Sequence, residues 1–166
     1  KVKQTNLCGQ ICVAQILGLP LSDILSKWQS VTPSFFKRVF ETGKARGTGP
    51  GELIDLFKIF TDRKAILLQE ALYQSHIKRS RYTIKSINEI LENGSVIASI
   101  HINAFTGLIQ QTGVLHWVSL KKIIPERNGQ GAVLFYNPAM DSEEVCSYDE
   151  FIRSAVNPYG VYLSNQ

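Results

Sequence analysis

The strongest constraint on the fold is that helical patterns fill the first third of the sequence and strand-like segments dominate its second half. "SVIASIHIN" (95–103), "VLHWVSLKKI" (114–123) and "AVLFYNP" (132–138) are rich in β-branched and aromatic residues and are separated by Gly-containing turns. They predict three strands of one antiparallel sheet. Helices followed by a sheet of this kind indicate an α+β fold.

Four helices are predicted before residue 62. Apolar residues recur at helical spacing over residues 8–17, and Gly18 ends that pattern. "LSDILSKWQ" predicts a second helix capped by Ser22, and "PSFFKRVFE" a third with Pro33 in its first turn. In "RGTGPGELIDLFKIF", Thr48 is the expected cap of the fourth, which has an apolar stripe along one side.

Later local signals predict two more helices and two more strands. "RKAILLQ" (63–69) is short and apolar, as expected of a strand. Ser86 and Glu89 have the spacing of a capping box at the start of a helix, and Ser147 and Glu150 repeat that spacing before the last helix. "GVYLS" predicts a final strand.

Length and composition favour one globular domain over residues 1–166. A chain of 166 residues buries a core without help from disulfides or metals, and 44% hydrophobic with 19% charged residues is typical of a folded chain. Because the sequence begins with Lys1 rather than Met, we expect a domain excised from a longer polypeptide. A parent chain or partner protein is therefore expected.

Charge and cysteine content exclude several function classes. The net charge of +4 comes partly from "HIKRSRY" (76–82), which we interpret as a solvated loop and not as a nucleic-acid site. No apolar run has membrane-spanning length, and the N-terminus lacks the layout of a signal peptide. The three cysteines show neither CxxC spacing nor neighbouring paired histidines, so we expect no disulfide framework, metal or cofactor. A reducing compartment such as the cytoplasm is favoured.

Cys8 is the candidate nucleophile. It stands at the start of the first helix, where unpaired N–H groups and the helix dipole favour a thiolate, so we expect a lowered thiol pKa. Gly9 follows it, and we expect the missing side chain to give a substrate carbonyl close access. Cys12 and Cys146 are interpreted as buried structural residues.

His116 is the candidate partner of that thiol. Thiol chemistry needs a proton acceptor and a third group that orients the imidazole ring. His76 lies in the basic loop and His101 within "SIHIN", whereas His116 begins a strong strand and is followed, at the end of the next strand, by Asn137. The chain order is therefore Cys, His, Asn.

This ordered set resembles the C39-like branch of the papain-like cysteine peptidases. The resemblance rests on Cys-Gly at a helix start with Gln4 upstream, on "GTGPGEL", on "HWVSL" and on "NP", and it spans residues 4–138. It implies a papain-like fold in which a helical half carrying Cys8 packs on an antiparallel sheet carrying His116 and Asn137. It further implies Cys8 as nucleophile, His116 as general base and acid, Asn137 as orienting residue, and Gln4 as oxyanion donor.

Alternatives remain at the level of sequence. Asn137-Pro138 is also a common turn start, which leaves Asp141 as the alternative third residue. The same constellation serves peptide hydrolysis of a protein or peptide substrate, glutamine deamidation and acyl transfer, and papain-like domains of this size also occur as bacterial effector or toxin modules, delivered into a target cell. A non-catalytic binding module on the same fold is the contrasting hypothesis.

Overall fold

The computed structural model describes residues 7–32, 34, 47–75, 82–124 and 131–166, except for the side chain of Asn157. Six helices lie in this part of the chain, and they begin and end as follows: α1 Cys8–Leu17, α2 Leu21–Val31, α3 Pro50–Phe60, α4 Leu68–Gln74, α5 Ile84–Asn93 and α6 Tyr148–Ser154. The third predicted helix (33–41) falls outside the described residues apart from Ser34, and so does the basic segment at 76–81.

The described strands form one six-stranded sheet in which every neighbouring pair is antiparallel. The strands are β1 Ala65–Leu67, β2 Gly94–Ile102, β3 Val114–Ile124, β4 Ala132–Asn137, β5 Ser142–Ser147 and β6 Ala155–Ser164. Their spatial order is β1-β6-β2-β3-β4-β5. The predicted α+β class and antiparallel sheet are confirmed.

Helices cover both faces of the sheet. On one face α1, α2 and α3 pack against a cluster that includes Ile97 and Trp117, and on the other α4, α5 and α6 pack against a cluster that includes Ala98 and Val118. Neighbouring residues of a strand thus enter different cores, as the two-residue period of a strand requires. The sheet is the middle of three layers.

Helix α1 and the cap of α6 form where the sequence predicts them. Gly18 ends α1 with φ of 66°, a left-handed conformation that glycine adopts without a steric penalty. At α6 the Ser147 side chain accepts a hydrogen bond from the Glu150 backbone N–H, so the predicted N-terminal cap is confirmed.

Three other predicted caps are wrong by one to three residues. Helix α2 begins at Leu21, which places Ser22 inside its first turn. Gly49, and not Thr48, precedes α3, and its N–H donates to the Glu52 carboxylate. Thr83 caps α5 three residues before the predicted Ser86, because the Ser86 hydroxyl and backbone N–H both bond back to Thr83.

The sequence patterns predict neither the short helix α4 nor the edge strand β5. The apolar stretch at 63–69 forms a strand only over Ala65–Leu67, and Leu68 already begins α4. Strand β5 lies at one edge of the sheet, and only one of its six residues is fully buried, so it lacks the apolar alternation of a half-buried strand.

No single helix within the described ranges is long and apolar enough to cross a membrane, although α1 and α2, bent by 114° at their junction, together have the length and composition.

Candidate functional site

Helix α1 holds Cys8 in its first turn, where backbone N–H groups lack acceptors within the helix. Burial raises the pKa of the Cys8 thiol above its ordinary value, since the residue is only 9% exposed. The backbone N–H groups of Trp117, Gly9 and Cys8 itself oppose this shift without overcoming it. The expected lowering of the Cys8 pKa is therefore wrong for the free protein, because desolvation outweighs the helix terminus.

The edge of β3 fixes the position of the thiols. Strand β4 pairs with β3 only as far as Ser119, which leaves the Trp117 peptide groups to other partners. The Trp117 N–H approaches the Cys8 sulfur, and the Cys12 thiol donates to the Trp117 carbonyl oxygen at 3.7 Å. Cys8 and Cys12, one helical turn apart, thus lie along the edge of β3 just beyond the end of β4.

The Trp117 side chain fixes the wall beside Cys8. Its indole Nε1 donates to the Thr48 carbonyl at 2.7 Å, and the Thr48 hydroxyl accepts from Gln10 Nε2 at 2.7 Å. The indole also stacks on Tyr159, with ring centroids 5.4 Å apart. Trp117 is thus both a core residue and part of the cleft wall, and no pattern in the sequence indicated the roles of Gln10 and Thr48 beside it.

Gly9 serves packing and not substrate access. A Cβ atom at this position would lie 2.7 Å from Leu53 Cδ2 and 3.1 Å from Trp117 Cδ1, both of which belong to the protein interior. The expectation that Gly9 opens space for a substrate is wrong, because its missing side chain points into the core. The glycine instead lets α1 approach Trp117 closely enough to place Cys8 at the edge of β3.

Cys8 and His116 line one cleft of about 430 Å³. Strand β3 contributes residues 114–117 to its surface, and residues 47–49 line it together with Cys8. Ser99 and Tyr159 complete the part of the lining that lies on the sheet. The structure therefore brings the predicted nucleophile and the predicted base to the same opening.

Asn137 determines which nitrogen of His116 carries the proton. Asn137 Oδ1 accepts from the Ala139 backbone N–H at 3.0 Å, and its Nδ2 donates to the Gly107 carbonyl at 3.0 Å, so the amide orientation is fixed. Oδ1 lies 2.9 Å from His116 Nε2, which must then be the donor. The neutral ring consequently has its lone pair on Nδ1.

The imidazole of His116 is neutral near pH 7. Burial lowers the pKa of His116 to about 4, although the hydrogen bond from Nε2 to Asn137 favours the charged form. Within the described residues Nδ1 makes no hydrogen bond. His116 thus offers an unprotonated nitrogen at a fixed position, as a general base requires.

Asp141 makes no hydrogen bond to His116 within the described residues. Its carboxylate accepts a hydrogen bond of 2.6 Å from the Tyr136 hydroxyl on an exposed turn. Asn137, by contrast, is fully buried behind the imidazole. Of the two candidate third residues, the structure places Asn137 against the histidine.

The remaining predicted residues lie elsewhere. The His101 ring bonds through Nδ1 to the Ser154 carbonyl at 3.0 Å, while Gln4 and His76 lie outside the described residues. Cys12 and Cys146 are buried free thiols, and burial raises the pKa of both, that of Cys146 to about 12. Within the described part of the chain, no three metal-ligating side chains form a group.

No protein-family model matches the sequence, and no curated protein matches it either.

Proposed function

We propose that this protein is a thiol-dependent amide hydrolase of the cysteine peptidase type on a papain-like fold. Cys8 is the nucleophile, His116 the general base and acid, and Asn137 the residue that orients the imidazole. One observation carries the proposal: Asn137 holds His116 in the tautomer with a free Nδ1, and this histidine shares its cleft with a cysteine at a helix start. The papain-like fold is also supported by the packing of the helical layer that carries Cys8 against the sheet that carries His116 and Asn137.

Proton transfer accompanies attack in this mechanism. The raised pKa of Cys8 and the pKa of about 4 at His116 keep the proton on sulfur before substrate binds. As the sulfur bonds to the carbonyl carbon, its proton moves to His116 Nδ1, and the carbonyl electron pair moves to oxygen. When the C–N bond breaks, the leaving nitrogen takes that proton, and a thioester remains on Cys8.

Deacylation uses the same groups in reverse. His116 Nδ1 accepts a proton from water as the water oxygen bonds to the thioester carbon, and the sulfur leaves with that proton. The N–H groups at the start of α1, which have no acceptor within the helix, can donate to the oxyanion beside Cys8. The assignment of Gln4 as a further oxyanion donor stays a prediction from sequence.

The cleft suits an uncharged stretch of polypeptide. Leu115 and Tyr159, both of which line it, are exposed, and Trp117 supplies an aromatic wall. In the described part of the chain no Asp, Glu, Lys or Arg side chain lines this cleft. A protein or peptide substrate with apolar side chains near the scissile amide fits these surroundings better than a charged one.

The decisive experiment compares the wild type with Cys8→Ala on a proteome. Both proteins are incubated with a cell lysate, and mass spectrometry records new peptide termini together with mass shifts from Gln to Glu. New termini that require Cys8 and persist in the control variant Cys146→Ala support a peptidase. Mass shifts from Gln to Glu without new termini would indicate a deamidase instead of a peptidase. Identical products from the wild type and Cys8→Ala would refute the proposal.

A further inference from the structure

Glu144 lies directly behind the residue that orients His116. It is half-buried on β5, and its Oε1 accepts a hydrogen bond of 3.4 Å from Asn137 Nδ2. The register of β4 and β5 places Glu144 opposite Phe135, two residues before Asn137 on the same strand. Because side chains alternate along a strand, Glu144, Phe135 and Asn137 share one face of the sheet.

Three adjacent strands therefore carry a chain of hydrogen bonds on that face. His116 on β3 donates from Nε2 to Asn137 on β4, and Asn137 donates from Nδ2 to Glu144 on β5. We propose that Glu144 is a positioning residue that acts on His116 through the Asn137 amide. This inference rests on the proposed function, since it concerns the same histidine.

The amide transmits the charge of the carboxylate. An acceptor at Nδ2 draws the amide N–H proton, and the amide group responds by placing more electron density on Oδ1. Oδ1 then accepts more strongly from His116 Nε2, most of all when the ring becomes an imidazolium during attack. A neutral asparagine thereby acquires part of the effect that a carboxylate in its place would have.

Burial and the hydrogen bond to Asn137 act on the ionisation of Glu144 in opposite directions. Burial, the larger effect, raises the pKa of the Glu144 carboxyl above its ordinary value, and the hydrogen bond from Asn137 opposes this shift without overcoming it. The amide therefore favours the ionised form of Glu144. Since the Gly107 carbonyl also accepts from Asn137 Nδ2, removal of Glu144 weakens the orientation of the amide without abolishing it.

Two substitutions separate the hydrogen bond from the charge. Glu144→Gln keeps an acceptor for Asn137 Nδ2 and removes the charge, whereas Glu144→Ala removes both. Glu143→Gln is the matched control, because the neighbouring Glu143 is exposed and carries the same charge. We expect Glu144→Ala to lower kcat by about fivefold, the value of one modest hydrogen bond, with KM unchanged. The kcat of Glu144→Gln should lie between those of Glu144→Ala and the wild type.

A spectroscopic readout makes the test independent of turnover. The readout is the ¹H chemical shift of the His116 Nε2–H proton in ¹H–¹⁵N correlation spectra of the imidazole rings. We expect this resonance to move upfield in Glu144→Gln and further upfield in Glu144→Ala, with no change in Glu143→Gln. Equal spectra for all four proteins would overturn the role of Glu144. If the spectra change as expected while no variant, nor the wild type, processes any amide, the hydrogen-bond chain stands and the proposed function fails.

Discussion

Asn137 Oδ1 lies 2.9 Å from His116 Nε2. The Asn137 side chain is fully buried and makes three further hydrogen bonds. Asn137→Ala releases the imidazole from its fixed tautomer. We expect turnover to fall by about ten- to a thousandfold, less than for Cys8→Ala. Combining Asn137→Ala with Cys8→Ala should add little, because members of one catalytic unit are not additive. Initial rates on a peptide found in the proteome experiment provide the measurement.

The control for that prediction is Asp141→Asn. Asp141 has φ of 47°, a conformation that asparagine tolerates better than alanine, so this change removes the charge without backbone strain. We expect turnover within about twofold of the wild type, since the partner of Asp141 within the described residues is the Tyr136 hydroxyl and the change is an ordinary surface substitution. A large loss here, with Asn137→Ala active, would show that Asp141 is the orienting residue.

Alkylation by iodoacetamide should modify Cys8 before the other cysteines. Cys8 lines the cleft, Cys12 is fully buried, and burial raises the pKa of Cys146 to about 12. Because the pKa of Cys8 is itself raised, its labelling rate should increase about tenfold per pH unit from pH 7 to 9. Peptide mapping at timed intervals measures this. A rate that is already constant below pH 7 would indicate a preformed thiolate and contradict the resting state described above.

Gly9→Ala should destabilise the fold. The added methyl group would meet Leu53 and Trp117 in the core, and overpacking of this kind costs about 1 to 3 kcal/mol in the free energy of unfolding. Gly51→Ala is the matched control, because a Cβ atom at this position in α3 has nothing within 4 Å, and we expect stabilisation by about 0.5 to 1 kcal/mol. Urea unfolding distinguishes the two. Equal stability of both variants would show that α1 does not need the glycine.

Histidine burial makes the stability depend on pH. The pKa of His116 falls from its ordinary 6.5 to about 4 in the folded protein, so between these values the unfolded chain binds a proton that the folded chain does not. As pH falls from 7 to 4, the wild type should lose up to about 3 kcal/mol through this residue. The loss begins near pH 6.5 and is complete below pH 4.

His116→Gln isolates that contribution. Carboxylates titrate in both proteins, so the difference in unfolding free energy between the wild type and His116→Gln reports mainly on the histidine. We expect this difference to shift in favour of the variant as the pH is lowered, and urea unfolding at pH 7 and pH 4 measures it. A difference that stays constant over this range would show that His116 titrates normally in the folded state.

Local patterns in the sequence determined most of the secondary structure. The long β-branched segments of β2, β3 and β4, the end of α1 at Gly18 and the cap at Ser147 depend on nearby residues, and all were predictable. The caps of α2, α3 and α5 were misplaced because several residues of similar propensity compete at each start. Strand β5 was missed because an edge strand is defined by its hydrogen bonds to β4 and not by an apolar pattern.

The sequence also indicated the candidate residues Cys8, His116 and Asn137, whose order along the chain resembles that of a known family. Only the tertiary structure decided what surrounds them. The pKa of Cys8 depends on how deeply α1 packs against β3, and desolvation reversed the direction that a helix start alone implies. The link from Asn137 to Glu144 arises from the register of two strands, and hydrogen bonds between strands depend on a pairing that no local pattern specifies.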